Sequence, residues 1–292
     1  MDKIKIFCFG FGQVAKSFVQ KIISEKVNFE LNVTTRDSSK IKELNNYKFN
    51  SYQFDNDKID ISLKEKLENS NYILISVPPI EGEDVVIKNF GSILKNNKNC
   101  NWITYLSATS VYGDHKGDWV NENSETKPSS LNGVSRLNAE KMWKNFSRKS
   151  DLPLQIFRLA GIYSSEYNIL KRLKIGTVQI ADKKDHFFSR IHVDDIANII
   201  FRSLKKFKKD EIYNICDDKP ASQREVASYG SKLLKLKEPE AVNLNQIKSE
   251  MLRNFYKDSK KVDNKKMKDF FNHKLKYPTY VEGLNYIFNH TF

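Results

Sequence analysis

Ile4-Lys5-Ile6-Phe7-Cys8-Phe9-Gly10-Phe11-Gly12-Gln13-Val14-Ala15 is the stretch that decides the fold. Ile4 to Phe9 is a short apolar run, which reads as a buried strand. It breaks at Gly10-Phe11-Gly12. Beyond the break, Val14, Ala15, Phe18, Val19 and Ile22 recur at helical spacing and give one apolar face. A glycine-rich turn between a strand and a helix is the context that G-x-G-x-x-G/A requires. Gly10 permits the tight turn, and Gly12 lets a pyrophosphate approach the backbone. Ala15 is small enough for the helix to pack on the sheet. The first N–H groups of that helix then face the phosphates. The competing reading is an ordinary glycine turn, and the strand and helix on either side favour dinucleotide binding.

Working outward, apolar runs alternate with helical patterns. Strands are expected at Leu31 to Thr35, Phe49 to Phe54, Tyr72 to Val77, Trp102 to Ser107, Leu154 to Arg158 and Ile212 to Ile215. Helices are expected from about Gly133 to Lys149 and from Asp194 to Leu204. This rhythm predicts an α/β protein, a Rossmann-type doubly wound parallel sheet with a small C-terminal substrate lobe. Residues 1–163, with about 190–215, form the expected NADP-binding domain. Residues 164–189 and 216–292 fit the rhythm poorly and are assigned to the smaller lobe.

The second strand ends in Thr34-Thr35-Arg36-Asp37-Ser38, and Arg36 lies 21 residues after Ala15. That is close to the ~20 at which the ribose-binding residue of a dinucleotide site falls. A guanidinium grips a 2′-phosphate, which points to NADP. Asp37 is the counterweight, because it would serve the ribose of NAD if the register slipped by one. NADP is the cofactor expected, with NAD the less favoured choice. The expected lining is Gly10, Phe11, Gly12, Gln13, Val14, Thr35, Arg36, the backbone of Val77-Pro78-Pro79, and Ser107.

Four further segments carry a family resemblance. Leu106-Ser107-Ala108-Thr109-Ser110-Val111-Tyr112-Gly113-Asp114 resembles the S-S/T-x-x-V-Y-G segment of the extended short-chain dehydrogenase/reductases, the NAD-dependent epimerase/dehydratase branch. Arg158 to Tyr163, Arg190 to Ala197 and Ile212 to Ile215 resemble that family's later motifs, in order. The resemblance spans about Lys3 to Val226. It implies catalysis by a Ser/Thr, a Tyr and a Lys, the last two in Y-x-x-x-K. Here Ala108, Asn132 and Arg136 stand at those positions. An amide does not titrate near neutrality, and a guanidinium does not shuttle protons. The pattern resembles the atypical YeeZ-type subgroup, which lacks Y-x-x-x-K. Tyr112 and Arg136 are the remaining weak catalytic candidates. His192 reads as a structural imidazole, and His115 and His186 as loop residues.

The chain of 292 residues carries a formal charge of +13, 39% hydrophobic residues, 19 Phe and 13 Tyr. That composition affords a sizeable core and argues against a disordered chain. The basic runs Lys205 to Lys209 and Lys257 to Lys268 lack a nucleic-acid motif, so they are read as solvated faces rather than a nucleic-acid surface. No apolar run approaches the ~20 residues that span a bilayer. Cys8, Cys100 and Cys216 lie far apart and are expected as free thiols in the cytoplasm, and no metal-ligand spacing is present.

Two functional readings stay open. One is an NADP-dependent oxidoreductase or epimerase with a non-standard active site. Its small-molecule substrate is unidentified, with a nucleotide sugar the family-based suggestion. The other is a catalytically inactive NADP(H) sensor acting through a partner. A homodimer is expected only by analogy with relatives.

Overall fold

The computed structural model describes residues 3–55, 58–183 and 185–292. They divide into two compact units. The first comprises Met1–Ser107, Ser135–Phe157 and Ile196–Ile212, and the second Ala108–Val134, Arg158–Asp195 and Tyr213–Phe292.

In chain order, the elements begin with β1 (Ile4–Phe9), α1 (Gln13–Ser24), β2 (Phe29–Thr35), β3 (Lys40–Leu44), β4 (Tyr47–Asp55) and β5 (Lys58–Ile59). Then come α2 (Leu63–Glu68), β6 (Tyr72–Ile75), α3 (Val85–Asn96), β7 (Trp102–Ala108), β8 (Trp119–Val120), α4 (Leu131–Ser150), β9 (Leu154–Leu159) and β10 (Gly161–Tyr163). The chain continues with α5 (Ile169–Lys174), β11 (Ile180–Ala181), β12 (Arg190–His192), α6 (Val193–Ser203), β13 (Glu211–Ile215) and α7 (Gln223–Leu234). It closes with β14 (Ala241–Val242), α8 (Glu250–Phe255), β15 (Lys261–Val262), α9 (Lys265–Phe271) and α10 (Tyr280–Thr291).

The main sheet runs β13-β9-β7-β6-β1-β2-β4-β3, with β5 paired to β4. The pairs β1·β2, β1·β6, β2·β4 and β6·β7 are parallel, as the βα rhythm required. Strand order reverses direction at β1, which places the Gly10 turn at the topological switch point where such sheets bind ligands. Each expected strand is present to within two residues. β6 stops at Ile75, two residues before Val77, because the chain turns away at Ser76 toward the two prolines.

The sequence reading missed one element of consequence. β3 is antiparallel to β4 and forms the sheet edge. Leu44 pairs with Tyr47 across Asn45 and Asn46, whose φ values are 49° and 63°. Two consecutive left-handed residues are the signature of a two-residue hairpin turn, and asparagine tolerates that conformation. Lys40-Ile41-Lys42-Glu43-Leu44 has no buried residue, so the apolar signal that marks a strand is missing.

The first unit's core lies beneath the sheet. Phe9, Phe54 and Phe90 meet with ring centroids 5.2 to 6.1 Å apart, joined by Phe7, Tyr105 and Trp143. Asp84 caps α3, accepting from Val86 N–H and Ile87 N–H at 3.0 Å each, and its other oxygen accepts from Trp143 Nε1 at 2.8 Å. One buried carboxylate thus satisfies two orphan helix donors and an indole.

The second unit holds three small parallel pairs, β10·β12, β11·β14 and β8·β15. Its core gathers Tyr163, Leu170, Val226, Ala227, Leu284 and Ile287. α7 and α10 both open on capping boxes, Ser222 with Glu225 and Thr279 with Glu282. The three cysteines are free thiols, Cys8 and Cys216 being buried. Among the described residues no helix is long and apolar enough to cross a membrane.

Candidate cofactor site

The cofactor loop sits wholly within the first unit. Gly10 has φ +86°, a conformation that suits glycine. A Cβ there would meet Ser76 Oγ at 2.9 Å and Val77 N at 3.3 Å, so the turn after β1 lies directly against the segment leaving β6. That contact brings two of the expected pieces, the glycine loop and Val77, together. Pro78 and Pro79 follow Val77 directly. The Gly10 N–H donates to Thr34 Oγ1 at 2.9 Å, which ties the loop to the end of β2. Thr34 was not foreseen as part of the site, because a threonine in a strand reads as β-propensity alone.

Gly12 is the N-cap of α1, and a Cβ added there would have no heavy atom within 4 Å. No side chain caps the helix and no acidic residue lies in its first turn. The space beside the Gly12 α-carbon is therefore open, which lets a phosphate approach the start of α1. Ala15, fully buried, lets α1 lie close on the sheet. These residues fit a dinucleotide's pyrophosphate on geometry as well as on sequence.

At the end of β2, Thr35 Oγ1 lies 2.9 Å from Ser51 Oγ of β4. Arg36 is exposed, and its backbone carbonyl accepts from Gln53 Nε2 at 3.2 Å. Its guanidinium makes no hydrogen bond or ion pair with any described residue. Asp37 is paired with Lys42 of β3, Nζ to Oδ2 3.1 Å, and Lys42 Nζ also reaches Thr35 Oγ1 at 3.4 Å.

Ser107, near the end of β7, is buried and donates to Glu140 Oε1 of α4 at 2.6 Å. Arg136, one turn earlier on α4, donates from Nη1 to the Leu106 carbonyl at 2.8 Å and reaches the Tyr105 hydroxyl at 3.4 Å. Its positive charge is thereby fixed beside the last residues of β7.

The second unit carries the remaining candidates. Tyr112 is fully buried, donates to Asn214 Oδ1 at 2.7 Å and lies under the Arg158 guanidinium, 4.8 Å from its ring centroid. Burial pushes its phenol up to about 12, which removes it from proton transfer near neutrality. Asn132 is exposed in the first turn of α4. His192 is buried against Tyr163 and Tyr277, with Nδ1 accepting the Asp194 N–H at 3.1 Å; burial lowers its pKa, as suits a structural imidazole.

Two groups in this unit escaped the sequence reading. Lys260 is buried, with Nζ 3.8 Å from Asp258 Oδ2, while Asp258 Oδ1 accepts from the Ser129 hydroxyl at 2.8 Å. Burial lowers the Lys260 pKa, against the opposing pull of Asp258 and Asp114. A cleft of about 460 Å³ is lined by Ala181, Lys183, His186, Ser222, Arg224 and Tyr256, among others. His186 is 1% exposed and packs against Phe188 and Tyr256; burial lowers it to about 4, against the opposing pull of the Tyr256 backbone, so it is neutral at physiological pH. The cleft and the Ser129–Asp258 bond join residues distant in sequence, so no local motif announces them. No cluster of His, Cys, Asp and Glu suited to a metal occurs among the described residues.

Residues 92–216 match the NAD dependent epimerase/dehydratase family. No curated protein matches the chain. Among solved structures, a conserved protein of unknown function from Silicibacter pomeroyi is 29% identical, with TM-score 0.84 and 97% of each chain covered. dTDP-glucose 4,6-dehydratase from Bacillus anthracis, solved with NAD, is 18% identical at TM-score 0.76, covering 98% of this chain and 96% of that one. UDP-glucose 4-epimerase from Thermotoga maritima, solved with UDP-glucose, is 17% identical at TM-score 0.74, covering 98% and 97%. The last two show likeness of fold.

Proposed function

We propose that the chain, whose residues 92–216 match the NAD dependent epimerase/dehydratase family, is a nicotinamide-dinucleotide-dependent oxidoreductase or epimerase that prefers NADP and works with a non-standard active site. The observation that carries this reading is the glycine N-cap of α1 at Gly12, with open space where its side chain would be. Backbone N–H groups of Gly12, Gln13 and Val14 would hold the pyrophosphate, with Gly10 and Phe11 shaping the turn. Thr35 and Arg36 would hold the adenosine ribose and its 2′-phosphate. Val77, Pro78 and Pro79 would close the side of the cleft. A bound nicotinamide supplies a hydride donor or acceptor.

Asn132 and Arg136 in place of the family's Tyr and Lys support the atypical, YeeZ-type assignment. Any proton transfer must then come from a group other than that tyrosine. The second unit's polar cleft suits a hydroxyl-rich substrate, and a nucleotide sugar is the class the similar enzymes' ligand suggests.

One observation favours the sensor reading. The hydroxyls nearest in sequence to the lost catalytic positions, Ser107 and Tyr112, are both committed to buried partners. A protein that binds NADPH, turns over no sugar nucleotide, and binds a partner only when loaded would meet that description.

The deciding experiment titrates NADPH and NADH separately into wild type and Arg36→Ala, following nicotinamide fluorescence. Tighter binding of NADPH, with the preference lost in Arg36→Ala, supports the cofactor reading. Failure of both dinucleotides to bind at millimolar concentration would sink it.

A further inference from the structure

The end of β2 carries two charges with opposite meanings for cofactor choice. Arg36 suits the 2′-phosphate of NADP, whereas a carboxylate at Asp37 suits the free 2′- and 3′-hydroxyls of NAD and repels a phosphate. The hairpin resolves the conflict. Antiparallel pairing of β3 with β4 sets Lys40 opposite Ser51 and Lys42 opposite Phe49, so β3 starts near the end of β2 and runs back along β4 away from it. Lys42 Nζ arrives 3.1 Å from Asp37 Oδ2 and 3.4 Å from Thr35 Oγ1, and Thr35 Oγ1 is in turn 2.9 Å from Ser51 Oγ. The Lys42 side chain is 22% exposed against 64% for Asp37. The lysine is thus the held partner and the aspartate the one drawn to it. An exposed ion pair is weak alone, and the second contact, to Thr35, fixes the ammonium in place.

We propose that Lys42 is a specificity-determining residue of the dinucleotide site, occupying Asp37 so that it neither serves a ribose diol nor repels a 2′-phosphate, and adding a cation next to Arg36. The inference rests on the cofactor reading above and adds to it a residue from outside the glycine-loop and β2 motifs. It also gives the β3–β4 hairpin a purpose: without it the sheet edge would end at β4, and Asp37 would be unpaired. The same geometry holds that carboxyl below its ordinary range, through the Lys42 hydrogen bond and charge, with Lys40 and Arg36 contributing less.

The test measures dissociation constants for NADPH and NADH on wild type, Lys42→Ala, Lys42→Met and Lys42→Ala/Asp37→Asn. Lys42→Met keeps the apolar stem, so a loss shared by both single variants is a loss of charge. The expected result is a fall of about tenfold in the NADPH-over-NADH ratio in both, the size of one charge-assisted contact. NADH should bind more tightly than to wild type. Removing the carboxylate in the double variant should return NADH affinity to the wild-type value, because the freed Asp37 is what gained it. An unchanged ratio in Lys42→Ala and Lys42→Met, with wild type still preferring NADPH, overturns this inference and leaves the cofactor reading standing. Wild type that binds neither dinucleotide, or prefers NADH, overturns both.

Discussion

The Ser107 hydroxyl lies 2.6 Å from Glu140 Oε1, with both side chains buried, and this single bond joins the end of β7 to the middle of α4. It explains why a serine and a glutamate 33 residues apart sit in segments that read separately as a strand exit and a helix face. Ser107→Ala takes one donor from a buried carboxylate. The expected cost is about 1–3 kcal/mol, read as a lower midpoint in urea unfolding with an unchanged slope. A midpoint equal to wild type would show that water or another group replaces the hydroxyl at no cost.

Asp84 serves three donors at once, two from the first turn of α3 and one from Trp143. Asp84→Ala should therefore cost more than an ordinary cap, about 2–4 kcal/mol against the ~1 typical of a cap alone. Trp143→Phe removes only the indole donor. A double-mutant cycle of the two should give a coupling of about 1 kcal/mol. Additive effects would mean that the indole bond contributes nothing to stability.

Asp217 is buried, with Oδ1 accepting the Lys219 N–H and Oδ2 lacking any partner among the described residues. Burial raises its carboxyl to about 8, against the lowering pull of Arg190. In the folded state the group keeps its proton when the unfolded chain has lost it. Its stabilising contribution is therefore complete below the ordinary aspartate range, falls steadily as pH rises, and stops changing above about 8. Asp217→Asn holds the neutral form at every pH. The variant should gain about 1 kcal/mol or more on wild type between pH 5 and pH 8, approximate bounds set by linkage. Parallel stability profiles for the two proteins would contradict this.

Gly113, with φ +70° and ψ −152°, lies in a region open to glycine almost alone, and a Cβ there would overlap the Lys127 carbonyl. Gly113→Ala should cost about 3 kcal/mol or more, combining backbone strain with a clash against main chain. Limited proteolysis should then cut the second unit faster than in wild type. Wild-type resistance would show that the Lys127 segment yields cheaply.

Lys260→Met takes a buried ammonium away from Asp258, which keeps its bond from the Ser129 hydroxyl. Removing one side of a buried pair should cost about 3 kcal/mol, read as a lower midpoint in urea unfolding. A gain in stability would mark Lys260 as a buried charge that the fold merely tolerates.

The sequence alone determined the frame. Ile4 to Ala15 fixed the first strand, the glycine turn and the helix, because burial and glycine geometry are local properties written in consecutive residues. The parallel pairing was legible in the alternation of apolar runs and helical faces. The tertiary structure decided the rest. It committed Ser107 and Tyr112 to Glu140 and Asn214, partners 33 and 102 residues away. It also set Lys42 beside Asp37, five residues earlier, on an edge strand that no apolar pattern announces. Periodicity records which residues leave water; it does not record which polar groups meet once they have, since those pairings depend on register and on contacts between distant segments.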